Sequence, residues 1–321
     1  MHKDYFEHPH GITTIDAGYV RPGIAAMHMM VEDGRAAFFD TGTSLSLPRV
    51  LKVLEVKGLG PESVDYVVPT HVHLDHAGGA GAMMQRFPRA RLVIHPRGER
   101  HMVDPGKLVA GTIAVYGEAK TRALYGDVVP VPEDRVLVAE EGFQLDLQGR
   151  ILDFVDTPGH ARHHFCIIDR RHRGIFSGDT LGISYRVFDT ARGPFLFPTT
   201  TPVQFEPDAL HHSIDRLMAT DPKTIYLTHF GPVEATPQLI DDLRRHLREF
   251  VRIGLGAADA CADEEREAML TDQVTDYLLE QARRHGCRLS DREIRAHLAM
   301  DAKLNAQGIN IWLQRRTPSE G

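Results

Sequence analysis

The chain has 321 residues, of which 42% are hydrophobic and 25% are charged, and its formal net charge is −7. This composition is typical of a folded globular protein, and the length fits one large domain or one domain with an appendage. Proteins that hold nucleic acid non-specifically usually carry a basic surface, which an acidic balance does not provide. We therefore expect a small-molecule substrate and no nucleic-acid partner.

The chain also lacks the usual signals for membranes and for secretion. Its first residues, Met1 to Glu7, contain no apolar signal core, and no stretch approaches the roughly 20 apolar residues of a membrane-spanning helix. We expect a cytoplasmic protein without a membrane partner. Three isolated cysteines, Cys166, Cys261 and Cys287, form no CxxC pair, which is typical of idle thiols in a reducing compartment.

Strands and helices alternate along the first 253 residues. Residues 12–40 predict strands with a hairpin turn at 32–35, residues 48–56 predict a helix, and the apolar run 64–69 predicts a buried strand. After these we predict a helix ending near residue 87, strands at 91–95, 136–138, 143–147, 151–155, 164–168 and 174–176, a helix at 208–218, a strand at 224–227 and a helix at 238–253. We interpret residues 97–130 as a helical and loop insertion that covers a site. Because this order occurs in two similar halves, we expect two packed sheets with helices outside.

The C-terminal part has a different pattern. From about residue 255 it is helical and highly charged, with an apolar stripe that includes Leu270, Val274 and Leu278. We predict a main domain over residues 1–253 and a helical extension over 254–321. The stripe packs either on the main domain or on another subunit, and the second alternative predicts a homo-oligomer formed through the extension.

One short segment after the strand at 64–69 concentrates metal-ligand chemistry. His71, His73, Asp75 and His76 place three imidazoles and one carboxylate within six positions. Alternation along an extended chain puts His71 and His73 on one face, and the following small residues allow the chain to turn. Zinc and similar divalent metals take imidazole nitrogens and carboxylate oxygens as ligands. Four such ligands on one loop can serve two adjacent ions.

Three more ligand-type residues follow predicted strands, each in a turn. His160 ends a Thr-Pro-Gly-His turn, Asp179 lies in Ser-Gly-Asp-Thr, and His229 lies in Thr-His-Phe-Gly-Pro. Each alone is weak evidence, because a histidine after a strand is usually an ordinary turn residue. Together with the loop at 71–76 they form a repeated pattern, and loops at one edge of a sheet are where rigid scaffolds hold functional residues.

This ordered set of seven residues and their turns resembles the metal-binding signature of the metallo-β-lactamase-fold hydrolases, in the branch that includes glyoxalase II and lactonases. The resemblance covers about residues 12 to 250 and excludes the helical extension. It implies an α+β fold, an αββα sandwich with a two-metal site at one edge.

The resemblance also implies a role for each ligand. His71, His73 and His160 bind the first metal ion, Asp75, His76 and His229 bind the second, and Asp179 bridges both. Asp75 is in addition the expected catalytic carboxylate. Asp40, in the turn Asp40-Thr41-Gly42, is expected to support the ligand loop from behind.

Two divalent ions lower the pKa of a shared water, so that a bridging hydroxide exists near neutral pH and attacks an acyl carbon or a phosphorus. We expect zinc first, with iron or manganese as alternatives, because sites of histidine and aspartate accept several metals. The chain has no Gly-x-Ser-x-Gly elbow, which agrees with a metal-dependent rather than a serine mechanism. We therefore predict a binuclear metal-dependent hydrolase of a small ester, lactone or thioester.

Two alternatives stay open on the same fold. One is a phosphodiesterase or nuclease, and the other is a di-iron protein that binds oxygen or carries out redox chemistry. In some redox relatives a glutamate replaces the second histidine of the first motif, so His73 favours hydrolysis.

Specificity in a shared scaffold depends on its loops, and we expect the segments 20–28, 104–126 and 183–206 to overhang the metals. The candidate pocket residues are Tyr116, Tyr125, His163, Tyr185, Arg186 and Phe188. The aromatic residues of the third segment have an alternative role in a minor core against the helical extension. His164 is a candidate outer partner of the ligands. The histidines outside the signature, namely His95, His101, His211, His212 and His246, are expected on the surface.

Overall fold

The computed structural model describes residues 4–200, 203–260 and 263–316, and it contains two β-sheets. The first sheet has seven strands in chain order: β1 Tyr5–Glu7, β2 Ile12–Asp16, β3 Ala26–Glu32, β4 Arg35–Phe39, β5 Val64–Val68, β6 Arg91–Ile94 and β7 Val136–Val138. The second has six: β8 Gln144–Leu147, β9 Arg150–Asp156, β10 Phe165–Asp169, β11 Gly174–Gly178, β12 Thr224–Leu227 and β13 Gly231–Glu234. Their spatial order is β13-β12-β11-β10-β9-β8.

The helices lie between and after these strands. They are α1 Leu47–Val56, α2 Leu74–Ala77, α3 Ala80–Arg86, α4 Glu99–Val103, α5 Gly106–Tyr116, α6 Glu118–Tyr125, α7 Pro207–Met218, α8 Pro237–Ala260, α9 Asp263–Arg284 and α10 Asp291–Arg316. Helices α4 to α6 occupy the predicted insertion at 97–130. The predicted class, an α+β fold with two sheets and a C-terminal helical region, is confirmed.

Strand direction brings particular chain segments to one edge of each sheet. In the first sheet β4 and β5 are parallel, so Asp40 and the loop that begins at Thr70 leave the sheet at the same edge. In the second sheet β9, β11 and β12 run in one direction, because β10 is antiparallel to both of its neighbours and β12 is parallel to β11. The segments after these three strands, which carry His160, Asp179 and His229, therefore leave the second sheet at one edge.

The core lies between the two sheets. Phe39 of the first sheet stacks on Phe176 of the second, with ring centroids 3.9 Å apart and planes inclined by 18°. Phe154 meets Phe165 edge-on at 4.9 Å, and Val68 belongs to the same buried cluster. Alternating inward side chains from two sheets form this kind of sandwich core.

Contacts along the chain divide it into two compact units. Residues 4–156, 163–178 and 220–234 form one, here called the sandwich unit, which holds both sheets and α1 to α6. Residues 157–162, 179–219 and 235–316 belong to the other, here called the helical unit, which holds α7 to α10.

In the helical unit, α9 packs against α8 and α10, and its predicted apolar stripe is buried. Leu270, Val274 and Leu278 have no exposed surface. The stripe therefore packs within its own chain, and a homo-oligomer formed through the extension stays a prediction.

Three features differ from the sequence-based expectation. Strands β1 and β13 are absent from the prediction, and β13 begins inside the predicted turn that contains His229, Gly231 and Pro232. Pro232 is tolerated because β13 is an edge strand. Helix α8 was predicted to end at residue 253 but continues to Ala260. Gly254 does not end it, since a Cβ atom there would lie 2.6 Å from Ile309, so the glycine permits close packing of α8 on α10.

The predicted domain boundary between residues 253 and 254 therefore lies inside a continuous helix, and the two-domain division stays a prediction. Cys166 and Cys287 are buried thiols, whereas Cys261 lies outside the described residues. Among the helices of the described part of the chain, none is long and apolar enough to cross a membrane.

Candidate metal centre

The loop that carries the first four ligands ends in one helical turn. Strand β5 ends at Val68, the chain bends at Thr70 and His71, and His73 then caps helix α2 with its carbonyl. The amides of His76 and Ala77 donate to this carbonyl at 3.0 and 2.8 Å. Helix α2 carries Asp75 and His76, so the predicted change of direction at Asp75 is confirmed.

A single buried carboxylate, that of Asp40, organises the centre. Its Oδ1 accepts from the amide and the hydroxyl of Thr70 at 2.7 and 2.9 Å. Its Oδ2 accepts from His76 Nδ1 at 2.9 Å and from the hydroxyl of Thr228 at 2.5 Å. The backbone of Asp40 has a φ of 58°, a left-handed conformation that aspartate tolerates better than most residues. The expected supporting role of Asp40 is confirmed by these four bonds.

Hydrogen bonds at Nδ1 set the proton positions on two of the predicted ligand histidines. His76 donates its Nδ1 hydrogen to Asp40, and His229 donates its Nδ1 hydrogen to the carbonyl of Ile24 at 2.8 Å. Each neutral ring then presents the lone pair of Nε2. The two Nε2 atoms lie 3.3 Å apart, and Asp75 Oδ2 is 3.8 Å from that of His76 and 3.5 Å from that of His229. Two lone pairs and a carboxylate converge there, which fits a divalent cation.

His71 and His73 form a second pair in the sandwich unit. The Thr70 hydroxyl donates to Asp40, so it accepts from His71 Nδ1 at 3.1 Å. His71 thereby presents Nε2, which lies 2.8 Å from His73 Nδ1. At this distance the two nitrogens need either a hydrogen on His73 Nδ1 or a metal ion between them. The ring of His164 stacks on that of His71 with centroids 4.8 Å apart, and this contact restricts the orientation of the His71 ring.

The helical unit holds the other two predicted ligands side by side. His160 Nε2 lies 3.3 Å from Asp179 Oδ2, and both side chains are buried. His160 Nδ1 donates to the carbonyl of Thr199 at 3.2 Å, so this ring too presents Nε2. Gly159, at φ +128°, allows the approach of α7, since a Cβ atom there would lie 2.4 Å from the backbone of Leu210.

A buried histidine outside the signature holds the segment before His229. His28 on β3 lies 3.0 Å from the carbonyl of Leu227 through Nε2 and 3.1 Å from the hydroxyl of Thr14 through Nδ1. Burial lowers the pKa of His28 to about 4, against the smaller opposing effects of the Leu227 carbonyl and the Asp40 charge. His28 is therefore neutral at pH 7 and donates Nε2–H to Leu227.

Three phenols of the sandwich unit lie within the field of Asp75. The hydroxyls of Tyr19 and Tyr125 are 3.0 Å apart, and their rings are stacked at 5.7 Å. Burial, followed by the negative charge of Asp75, raises the pKa of Tyr19, Tyr125 and Tyr116. These phenols therefore stay protonated at neutral pH.

The other pocket candidates lie mostly inside the protein. Tyr185 donates its hydroxyl to Asp301 of α10 at 3.0 Å, and Phe188 packs against Phe195. Arg186 donates to the carbonyl of Ser184 at 2.7 Å. The contacts of Tyr185 and Phe188 match the alternative of a minor core against the helical extension, and their role as substrate contacts stays a prediction.

His163 is buried, and its Nδ1 accepts from the amide of Val72 at 3.4 Å. The expectation of a surface position was wrong for two other histidines. His95 is buried and donates Nε2–H to Asp156 at 3.1 Å, because the amide of Arg97 donates to its other nitrogen. His246 is buried against Tyr277, at 2.7 Å from its hydroxyl, and burial lowers the pKa of this histidine to about 3.

Sequence reasoning missed several residues that shape the centre, namely Tyr19, His28 and Thr199, together with the roles of Thr70 and Thr228. Thr70 and Thr228 each directly precede a predicted ligand histidine, and this adjacency was a usable signal. No local pattern marks the other three, because each acts on residues distant in the sequence.

The sequence is similar to known proteins of one superfamily. A family model described as the metallo-beta-lactamase superfamily matches residues 20–229. The metallo-beta-lactamase fold-containing protein ST1585 of Sulfurisphaera tokodaii is 26% identical over 246 residues, 75% of this chain and 84% of that protein. The acyl-coenzyme A thioesterase MBLAC2 of Gallus gallus is 31% identical over 183 residues, 53% of this chain and 63% of that protein. A hydroxyacylglutathione hydrolase of Aeromonas salmonicida is 29% identical, over 52% of this chain and 48% of that protein.

Solved structures show the same fold. The crystal structure of ST1585 matches with a TM-score of 0.61 and 26% identity, over 76% of this chain and 87% of that chain. That of the metallo-beta-lactamase family protein TTHA1429 from Thermus thermophilus matches with a TM-score of 0.63 and 20% identity, over 95% of this chain and 94% of that chain. The second match supports the fold alone.

Replacement of Asp40 tests its role as the organiser of the centre. We expect Asp40→Asn to weaken zinc binding by about 10- to 100-fold, because an amide NH₂ would face groups that are all donors. Zinc affinity is measured by competition with a chromophoric chelator. The matched control is Asp153→Asn, which alters a buried carboxylate on β9 that, among the described residues, makes no hydrogen bond with Asp40 or its partners. Equal zinc affinity in the two variants would contradict the assignment.

The lowered pKa of His28 predicts a pH dependence of stability. In the unfolded chain this imidazole has a pKa near 6.5, and in the folded chain its pKa is about 4. Between these values the unfolded state binds the additional proton, so the contribution is complete above about pH 6.5 and is lost as pH falls toward 4, with a slope of up to about 1.4 kcal/mol per pH unit. Urea unfolding of metal-free protein measures this slope. A His28→Gln variant with an unchanged slope would exclude His28 as the source.

Proposed function

Because the chain belongs to the metallo-beta-lactamase superfamily, we propose that it is a binuclear metal-dependent hydrolase of a small ester, lactone or thioester. The observation that carries this proposal is the group formed by Asp75, His76 and His229, in which two imidazole lone pairs are fixed beside a carboxylate. Among the relatives, an acyl-coenzyme A thioesterase and hydroxyacylglutathione hydrolases support the thioester as the first substrate class to test.

We assign the seven ligands as their order along the chain suggests. His71, His73 and His160 would hold one ion, Asp75, His76 and His229 the other, and Asp179 both. All seven positions lie within residues 20–229, the range of the family model. The donor set suits zinc, and it accepts iron and manganese as well.

Bound divalent ions supply Lewis acidity for the attack of water on a carbonyl carbon. The residues of the chain prepare the site for this reaction. Asp40 and the carbonyl of Ile24 keep His76 and His229 in the tautomer that presents Nε2, so no ring has to rotate or lose a proton when a metal ion binds. This preorganisation supports the assignment of both residues as ligands.

Asp75 is our candidate for the proton-accepting group. Its side chain is 21% exposed, whereas the His76 side chain is fully buried, so Asp75 is the member of the group that solvent and substrate can reach. We propose that its carboxylate orients the attacking water and accepts its proton.

Tyr19 and Tyr125 are candidates for substrate recognition. Both hydroxyls stay protonated and lie in the field of Asp75, and one of them donates to the other, so the pair has one hydrogen left to donate to a carbonyl or carboxylate oxygen of a substrate.

Removal of one ligand tests the metal assignment and the hydrolytic activity together. We expect the purified protein to bind two equivalents of zinc and to hydrolyse S-acyl thioesters. His76→Ala should bind one equivalent less and lose at least about 100-fold in kcat/KM, the upper end of the loss seen when even an outer partner of a ligand is removed. Metal analysis and a panel of thioesters, lactones and phosphodiesters provide the measurements.

The exposed histidine on α7 offers a control, because His212→Ala should keep both metal content and activity. A His76→Ala variant that retains two equivalents of metal refutes the ligand assignment. Visible iron absorption without hydrolysis would favour the redox alternative, and faster cleavage of phosphodiesters than of thioesters would favour the phosphodiesterase alternative.

The phenol pair generates a separate prediction. We expect Tyr125→Phe to raise KM for the best thioester by about 2- to 10-fold, the loss of one neutral hydrogen bond, and to leave the zinc content unchanged. Tyr277→Phe removes a hydroxyl that bonds His246 in the helical unit, and this control should keep the wild-type KM. If both variants have the same KM as the wild type, the phenol pair does not contact the substrate.

A further inference from the structure

Helix α10, in the C-terminal extension, holds a loop segment of the helical unit through one buried amide. The backbone N–H of Thr200 lies 2.6 Å from Asn305 Oδ1. Because an N–H can only donate, this amide atom of Asn305 is the oxygen. The hydroxyl of Thr200 is 2.9 Å from the same oxygen and 3.0 Å from the backbone carbonyl of Asn305. Both residues are almost fully buried.

The same segment orients a predicted metal ligand. Thr199, the residue before Thr200, accepts a hydrogen bond from His160 Nδ1 through its carbonyl at 3.2 Å. This bond places the proton on Nδ1 and the lone pair on Nε2, the atom that lies 3.3 Å from Asp179. A backbone carbonyl can orient a ring only if its own peptide unit is held, and the N–H of Thr200 belongs to the peptide unit of the Thr199 carbonyl.

Two further contacts fix the chain that leads to this peptide unit. Ile183 and Phe197 exchange backbone hydrogen bonds at 2.8 and 3.0 Å. Tyr185 donates its hydroxyl to Asp301, which precedes Asn305 by one helical turn on α10. The segment before Thr199 is thus bonded to itself and to α10, and Asn305 attaches its end, Thr200, to the same helix.

We propose that Asn305 is a positioning residue for His160, through the peptide unit that joins Thr199 and Thr200. The inference rests on the proposed function only in that His160 is taken as a metal ligand. It gives the helical extension, which lies outside residues 20–229 matched by the family model, a role in metal binding.

The test compares zinc binding by full-length Asn305→Leu and Asn305→Asp variants. We expect Asn305→Leu to lower the affinity for one of the two zinc ions by about tenfold, the lower end of the range for outer partners of metal ligands. Asn305→Asp keeps an acceptor oxygen for the Thr200 amide, so this variant should bind zinc with the wild-type affinity. Competition with a chromophoric chelator gives both dissociation constants.

A matched control exists on the same helix. Asn310 is also buried, and its Oδ1 has no hydrogen-bond partner among the described residues. Asn310→Leu should keep both zinc affinities. If Asn305→Leu binds zinc as Asn310→Leu does, the proposal is wrong.

A spectroscopic measurement separates positioning from a general loss of stability. In metal-free protein with ¹⁵N-labelled histidine, the wild type should show His160 protonated on Nδ1, and Asn305→Leu should show a mixture of the two tautomers. An unchanged His160 tautomer would overturn the proposal. Thr200→Val, a nearly isosteric change that removes only the hydroxyl bond, should shift zinc affinity and tautomer in the same direction, and it provides the test if Asn305→Leu does not fold.

His160→Ala distinguishes the two levels of the argument. If it binds zinc with wild-type affinity, His160 is not a ligand, and the proposed function loses this residue. If His160→Ala weakens zinc binding while the Asn305 and Thr200 variants do not, the role of Asn305 is refuted and the proposed function stands.

Discussion

The buried carboxylate of Asp40 is the constraint on which the candidate centre depends. It accepts hydrogen bonds from residues after two different strands, Thr70 after β5 and Thr228 after β12, and from the ligand His76. A buried anion is costly unless its lone pairs are satisfied, and four donors satisfy it here. The same bonds join the edges of the two sheets and set the tautomer of His76. One set of hydrogen bonds at Asp40 therefore serves both the packing of the two sheets and the preparation of the site.

Four of the predicted ligand histidines have a defined hydrogen-bond partner on Nδ1, and this partner sets the tautomer. His71 has a threonine hydroxyl behind it, His76 a carboxylate, and His160 and His229 backbone carbonyls. In every case the partner is hydrogen-bonded to Nδ1, and the lone pair of Nε2 is left to bind a metal ion. Such outer partners raise the basicity of a ligand and hold its ring in place. The chemical similarity of the four environments, built from unrelated segments, supports one shared function for these rings.

Most of the architecture was accessible from the sequence. Apolar runs bounded by turn residues located the strands from β2 to β12, because buried strands must be apolar and loops must bend. These patterns misplaced an element boundary where proline or glycine lies inside a strand or a helix. Pro232 belongs to the predicted turn but lies in an edge strand, and the helix predicted to end at residue 253 continues through Gly254, which permits close packing on α10. His95 and His246 were expected at the surface, yet each is buried beside a hydrogen-bond partner that the sequence does not reveal.

The sequence by itself determined the ligand types and their order, because each predicted ligand follows a strand and strand ends are legible in local patterns. Only the tertiary structure decided what holds those ligands. Thr228 reaches Asp40 across 188 positions of the chain, and Asn305 reaches Thr200 across 105. Tyr19 and Tyr125, likewise distant in the sequence, form one phenol pair. Hydrogen bonds of this kind depend on how the segments pack, and no periodicity or motif within a segment encodes the residue that it will meet.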